Sequence, residues 1–441
     1  MVGQVHPYVE TARLIGSHLV RSAVWHDRIC NWFSPVSEPD GANQMAYGTL
    51  GPGLYDGTAG IALFLGRLHL ATSDTVFGRT AAAAIGHALA RADDVPDAIQ
   101  LGLYTGRFGI GYAAIEVGRC LANASLIERG VELIRQSGEI DPRGKAAIDV
   151  MSGNAGVIPL LLRLHAQLGE PWLLDLARAR GEALLARASR SARGRSWDVL
   201  GEMASTMDLS TISDGLANIT PDDPMRPNLI GYSHGAGGIA WSLLELGAAI
   251  DEPRFMEAAR DGFAYEDSWF DTARDHWPDL RQATTGNDVT LGGPIAWCHG
   301  AVGIGLARMR AWELTGDARY RRDAVSALRL AGRSILAALA GGPSYSLCHG
   351  VAGDAELLIT WWELTGDREA RQLVDLIAQR GMTDYAEPRK PWPSGLEGKL
   401  ECPGLMLGLA GTGYFYLRAA DALHTPSVLL VGPESLPCQR R

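Results

Sequence analysis

The chain has 441 residues, 46% of them hydrophobic and 20% charged, the composition of a globular protein with a large core. Its net charge of −10, with no run of Lys and Arg and no interleaved aromatics, argues against a nucleic-acid binder. Arg13 and His18 interrupt Met1 to Val20, so no secretory signal is expected; no 18-residue apolar run suggests a transmembrane helix. Six cysteines (Cys30, Cys120, Cys298, Cys348, Cys402 and Cys438) are too sparse for a disulfide scaffold and suit a reducing, cytoplasmic setting, where paired Cys and His point to metal or catalysis.

In chain order, the segment Pro7 to Ile29 comes first, and then a Gly-x-x-Gly pattern recurs seven times. It begins at Gly57, Gly106, Gly153, Gly235, Gly300, Gly350 and Gly408. Repetition at about 50 residues signals one supersecondary unit copied into an array. Each pattern opens a segment apolar on nearly every side, such as Gly60-Ile-Ala-Leu-Phe-Leu65, which predicts a fully buried helix. A more amphipathic segment follows, for example Asp317 to Leu336 and Asp367 to Gln379. Trp312-Glu-Leu-Thr-Gly-Asp317 recurs as Trp362-Glu-Leu-Thr-Gly-Asp367, where Gly stops one helix and Asp caps the next. Strand signals are weak. The expected fold is all-α: seven inner and seven outer helices closing into an (α/α)7 double-layered toroid, with an open solenoid of helix pairs as the competing geometry. The whole of 1–441 reads as one domain, with N-terminal outer-layer helices in 1–45, the repeats in 46–420 and a tail in 421–441. Pro7 to Ile29 would supply the outer helix that the last repeat lacks and so close the ring. Two long gaps, 189–229 and 277–294, read as surface loops or as a rim over a site.

Offsets from the first glycine gather the residues able to do chemistry. Cys298 and Cys348 both lie two before it, His234, His299 and His349 one before it, and Asp149 four before it. In a ring, equal offsets bring these side chains to one end of the cavity, at inner-helix N-termini whose partial positive charge favours anions. Two thiolates and one imidazole, Cys298, Cys348 and His349, are a three-ligand zinc set with an open fourth position. Cys402 falls out of register and reads as a buried or loop cysteine; Cys30, Cys120 and Cys438 have no such partners. His299, next to a ligand, either points away or takes a direct part. His234 is a catalytic candidate, and Asp149 is either a helix cap or its orienting partner.

Gly231-Tyr-Ser-His-Gly-Ala-Gly-Gly238, Ala296-Trp-Cys-His-Gly300 and Leu347-Cys-His-Gly350 resemble the lanthionine synthetase C-like family, the cyclases of lanthipeptide biosynthesis. The resemblance runs from Gly53-Leu-Tyr-Asp-Gly-Thr-Ala-Gly60 through Gly404-Leu-Met-Leu-Gly-Leu-Ala-Gly411. It implies an α/α toroid holding Zn2+ through Cys298, Cys348 and His349, with His234 as the catalytic histidine and Asp149-Val-Met-Ser-Gly153 as the family's Asp motif. Some relatives carry an Arg where this chain has Pro294, which leaves no assigned cation. The implied reaction is Michael-type addition of peptide Cys thiols to dehydroalanine or dehydrobutyrine, forming lanthionine or methyllanthionine thioether rings. The implied substrate is a dehydrated precursor peptide; no dehydratase segment is seen, so a separate partner would dehydrate it. The alternatives are a relative that adds glutathione to dehydroamino acids and a non-catalytic zinc-containing binding scaffold. A carboxylate-dependent glycosidase or terpene cyclase on the same architecture is disfavoured, because only Asp56, Asp149 and Asp354 stand near the ring register.

Overall fold

A computed structural model describes residues 6–37, 45–144, 147–206, 226–282, 293–396 and 400–434. Contacts divide the chain into two units. The first comprises Met1–Pro96, Tyr104–Glu139 and Ile335–Leu429; the second comprises Asp97–Leu103, Ile140–Ser334 and Leu430–Arg441.

In the first unit α1 (Pro7–Ser22) starts at a proline and precedes two hairpins. The first hairpin joins β1 (Val24–His26) to β2 (Ile29–Asn31) through a tight turn with Asp27 left-handed; the second joins β3 (Phe33–Ser37) to β4 (Met45–Thr49). The span 1–45, expected to hold helices, therefore holds one helix and short strands among its described residues. The cause is local: a bend at Asp27 and alternation such as Phe33-Ser-Pro-Val suit a pleated pair. Four helix pairs follow. They are α2 (Thr58–Thr72) with α3 (Thr75–Ala90), α4 (Arg107–Cys120) with α5 (Ala124–Gly138), α13 (Val351–Thr365) with α14 (Arg368–Gly381), and α15 (Leu409–Ala420) with α1. The N-terminal helix is thus the packing partner of the last repeat's inner helix.

The second unit contains α6 (Asn154–Leu168) with α7 (Trp172–Ala186) and α9 (Ala236–Ile250) with α10 (Pro253–Asp267). It also contains α11 (Ala301–Thr315), which packs on α9. The 23-residue α12 (Ala318–Ala340) follows α11. Within 189–229 lie a hairpin of β5 (Ser189–Ser191) and β6 (Gly194–Ser196) and a short helix, α8 (Val199–Thr206); 207–225 lies outside the described residues. Within 277–294 a 3-10 turn occupies Leu280–Gln282, and 283–292 is outside the described residues. No helix among the described residues is long and apolar enough to cross a membrane.

The helices that follow the glycine pattern are buried almost all round over their first turns, as in Thr58 to Gly66 and Ala236 to Gly247. At the end of α11 Gly316 is left-handed and Asp317 accepts from Arg319 N; at the end of α13 Gly366 is left-handed and Asp367 caps α14. The stop-then-cap reading of the repeated Trp-Glu-Leu-Thr-Gly-Asp segment matches both.

The glycine pattern itself has a steric origin. All seven first glycines are helix N-caps with no side-chain cap bond. In six repeats the first helical N–H instead donates to a carbonyl seven residues earlier, as in Ala301 to Pro294 and Val351 to Ser344 (each 3.0 Å). The preceding loop therefore folds over the helix N-terminus and occupies donors that would otherwise be orphaned. A Cβ on the second glycine would fall on a carbonyl oxygen of that loop: 2.1 Å from Trp297 O at Gly303 and 2.0 Å from Leu347 O at Gly353. The residues one to four places before each first glycine ride on this loop.

Candidate metal centre and acid–base pair

In the second unit three loops meet. Val150 N donates to Ser233 O (3.0 Å) and Ser233 N donates to Cys298 O (3.2 Å), which ties the loops before α6, α9 and α11 together. Gly231 and Gly300 both have left-handed φ, +102° and +117°, a region that favours glycine. A Cβ at Gly300 would lie 1.9 Å from Pro294 O, so the turn that carries Cys298 and His299 admits glycine alone.

On this scaffold His234 Nδ1 meets Asp149 Oδ2 at 2.5 Å. Asp149 is fully buried, and its other oxygen accepts from Ser152 N at 2.7 Å. The helix cap is Gly153, so the carboxyl group is not spent on the α6 terminus. A carboxyl oxygen on Nδ1 fixes the imidazole's rotation and tautomer. The His299 ring stacks on His234 with centroids 5.3 Å apart. His299 is buried, and its Nε2 has no hydrogen-bond partner among the described residues. Burial first, and then the charges of Arg281 and His234, hold its pKa far below the ordinary histidine range, so it is neutral at pH 7. Arg281 also forms a two-toothed pair with Asp279. Sequence reasoning missed this cation, although it lies in the flagged stretch 277–294.

In the first unit Cys348 is buried, and its N–H and that of Leu347 both donate to Met406 O (3.0 and 2.9 Å). Met406 N in turn donates to Tyr55 O (2.8 Å). His349 is exposed, and its Nε2–H donates to Gly395 O at 2.8 Å. A carbonyl can only accept, so Nδ1 keeps its lone pair for a ligand. Asp354, one turn into α13, has its carboxyl pushed up to about 8 by burial, against the opposing charge of His349. Asp56 is pushed up in the same direction by burial.

One His/Cys/carboxylate group among the described residues has the proximity of a metal site: Cys298, Cys348 and His349, with donor atoms within 4.8 Å of one another. Two sulfurs and a nitrogen are soft-to-borderline donors, a set that fits zinc and discriminates against magnesium or calcium. Cys30, Cys120 and Cys402 are buried free thiols outside the group; burial raises the pKa of each. Cys438 lies outside the described residues.

The family profile described as lanthionine synthetase C-like protein matches residues 48–430. Among solved structures, the chain is similar to one described as nisin cyclase, with 15% identity over 85% of this chain and 89% of that chain and a TM-score of 0.60. A protein described as Lin0763 from Listeria innocua aligns over 94% of this chain and 97% of its own at 13% identity, with a TM-score of 0.47. No curated protein sequence matches. The likeness to nisin cyclase shows the fold, the all-α toroid of helix pairs expected from the glycine period.

Proposed function

Because the chain belongs to the lanthionine synthetase C-like family, we propose that it is a zinc-dependent cyclase that closes thioether rings in a dehydrated peptide. A peptide Cys thiol adds to the β-carbon of dehydroalanine or dehydrobutyrine in the same molecule. The observation that carries the reading is the Cys298, Cys348 and His349 donor set. A zinc ion there would supply Lewis acidity, keeping a bound thiol deprotonated at neutral pH although a free one titrates near 8.5.

The chain's own groups would do the rest. Cys298, Cys348 and His349 Nδ1 hold the ion, and Gly395 O fixes the His349 ring. His234, rotationally locked by Asp149, takes up the thiol proton at Nε2. The C–S bond forms as the alkene π pair moves to the α-carbon, and His234 returns the proton there. The product has the mass of the substrate. Neutral His299, stacked on His234, adds no competing positive charge to the pair. The substrate class is a dehydrated precursor peptide, with dehydration performed by a separate partner. The five cysteines among the described residues, none of them in a disulfide, support a reducing, cytoplasmic compartment.

The test counts alkylatable thiols by mass spectrometry after incubation with a dehydrated Cys-containing peptide. The wild-type chain should lower the count with no change in peptide mass. His234→Ala and Asp149→Asn should slow the loss by about 10²- to 10⁴-fold with zinc content unchanged. Cys298→Ala and Cys348→Ala should lose both zinc and ring closure. An unchanged thiol count with the wild-type chain overturns the reading; a glutathione adduct in place of a ring redirects it to intermolecular addition.

A further inference from the structure

A cavity of about 360 Å³ opens in the first unit between α1 and the segment that follows α14. That is within the size range of ligand sites. Its floor is apolar: Ile15, Trp392 and Leu409 are all buried. Its mouth is cationic. Arg21 comes from the end of α1, and Arg389 and Lys390 come from the turn beyond α14. All three are exposed, and none has an ion-pair partner among the described residues. Glu401, the acidic residue of the lining, is already engaged by His18 Nε2 (3.1 Å) and by Trp392 N (3.0 Å). The cavity is therefore net positive on a chain whose net charge is −10.

The backbone of this turn is specialised. Helix α14 leaves the α-helical path in a π-helical turn, Met382–Ala386. Arg389 then adopts a left-handed φ of +54°, uncommon for a residue other than glycine, and Lys390 N closes the turn on Tyr385 O (2.9 Å). Single π-turns and left-handed non-glycine residues recur at functional positions. Here they place two cations side by side at the mouth, with Arg21 contributed by a different element.

We propose that this cavity docks an acidic peptide segment, with one apolar side chain on the Ile15–Trp392–Leu409 floor and flanking carboxylates on Arg21, Arg389 and Lys390. That the occupant is an anion on an apolar body follows from the cavity itself; that it is a peptide rests on the cyclase reading. Cations contributed by two elements suit an extended chain whose acidic residues flank an apolar anchor. A chain of net charge −10 repels an acidic peptide at long range, so a cationic mouth is where such a peptide would be steered.

The test is fluorescence anisotropy of the full chain with a labelled peptide of acidic residues around two leucines, alongside its Asn/Gln counterpart. The acidic peptide should bind about tenfold or more tightly than the amide one, and less tightly as salt rises. Arg389→Glu with Lys390→Glu should weaken binding by at least about tenfold. Arg21→Glu, on a separate element, gives the same readout if the double variant does not fold. Cys348→Ala should bind the peptide as the wild type does, so docking is scored whether or not rings form. Equal binding of the two peptides, or undiminished binding by the charge-reversed variants, overturns the proposal. Displacement by hexanoate at concentrations below those of unlabelled peptide overturns the peptide assignment in favour of a small carboxylic acid.

Discussion

Single residues decide whether the candidate metal donors are presented at all. Gly395 is the sharpest case: its carbonyl accepts the His349 Nε2–H, and a Cβ there would come within 2.7 Å of that nitrogen and 2.8 Å of Leu407 Cδ2. Gly395→Ala should therefore swing the imidazole without removing any ligand. The expected outcome is zinc affinity lowered by about 10- to 100-fold, read by competition with a chromophoric chelator, with helix content unchanged. Wild-type affinity would mean that the Gly395 contact does not orient the ring. The sequence left Asp149 open as either a cap or a partner of His234. In the structure Gly153 holds the cap position, and Asp149 Oδ2 meets the His234 ring, 85 residues away in the chain.

At the scale of elements, the loop carrying His234 is braced from behind by a buried charge network. Gly231 N donates to Glu266 Oε1 (2.7 Å) on α10; Glu266 also pairs with Arg308 of α11 (3.0 Å), and both side chains are fully buried. Burial pushes the Glu266 carboxyl up, while Arg308 and the Gly231 N–H pull it down. Arg308 reaches Asp267 and Asp323 as well. Removing one partner strands the other in the interior. Arg308→Met should cost about 3–5 kcal/mol of stability by chemical denaturation. Adding Glu266→Gln should restore much of it, because the amide oxygen can still accept from Gly231. If the single variant is as stable as wild type, the network is not what holds the loop.

Across the molecule, the repeats carry a second register of charged residues. Ten residues after the first glycine stand Arg67, Glu116, Arg163, Glu245, Arg310 and Arg418. Within each unit, two pairs of these residues bridge neighbouring inner helices, Arg67 with Glu116 and Arg310 with Glu245 (2.6 Å), while Arg418 pairs with Glu356 (2.7 Å), six residues after its own first glycine. The alternation of sign over the first five repeats is present in the sequence, but the segments read as apolar on every side. The pH response of the whole fold adds a smaller effect. Glu401 raises the His18 pKa, against burial. The Glu401 carboxyl, although burial raises it, is lowered overall by His18. The His18 contribution is full below its ordinary 6.5 and fades as pH rises through the raised value. The Glu401 contribution is present above its ordinary 4.5 and fades as pH falls through the depressed one. The pair should therefore stabilise most between about pH 4.5 and 6.5. His18→Gln should lose under about 1 kcal/mol there, since the pair is half exposed, and progressively less as pH rises through the raised His18 value. A stability difference that does not vary with pH would show that His18 acts through packing alone.

What the sequence determined by itself was everything set by short-range sterics. The glycine period fixes where inner helices begin, because a folded-back loop leaves no room for a Cβ at Gly303 or Gly353. Gly-Asp pairs fix where α11 and α13 end. The common offset of Cys298 and Cys348, with His349 next to the second, could likewise be read along the chain. The tertiary structure alone decided which distant groups meet: Asp149 with His234, Glu266 with Gly231, and Arg21 with Arg389 and Lys390 at one cavity mouth. No run of basic residues announces that mouth, because its cations come from opposite ends of the chain. The helix rise and the first-glycine register are local quantities that adjacent residues encode. Rotation of one helix against another is settled by packing volume and by the demand that buried charges find partners, and neither can be read from neighbours in sequence.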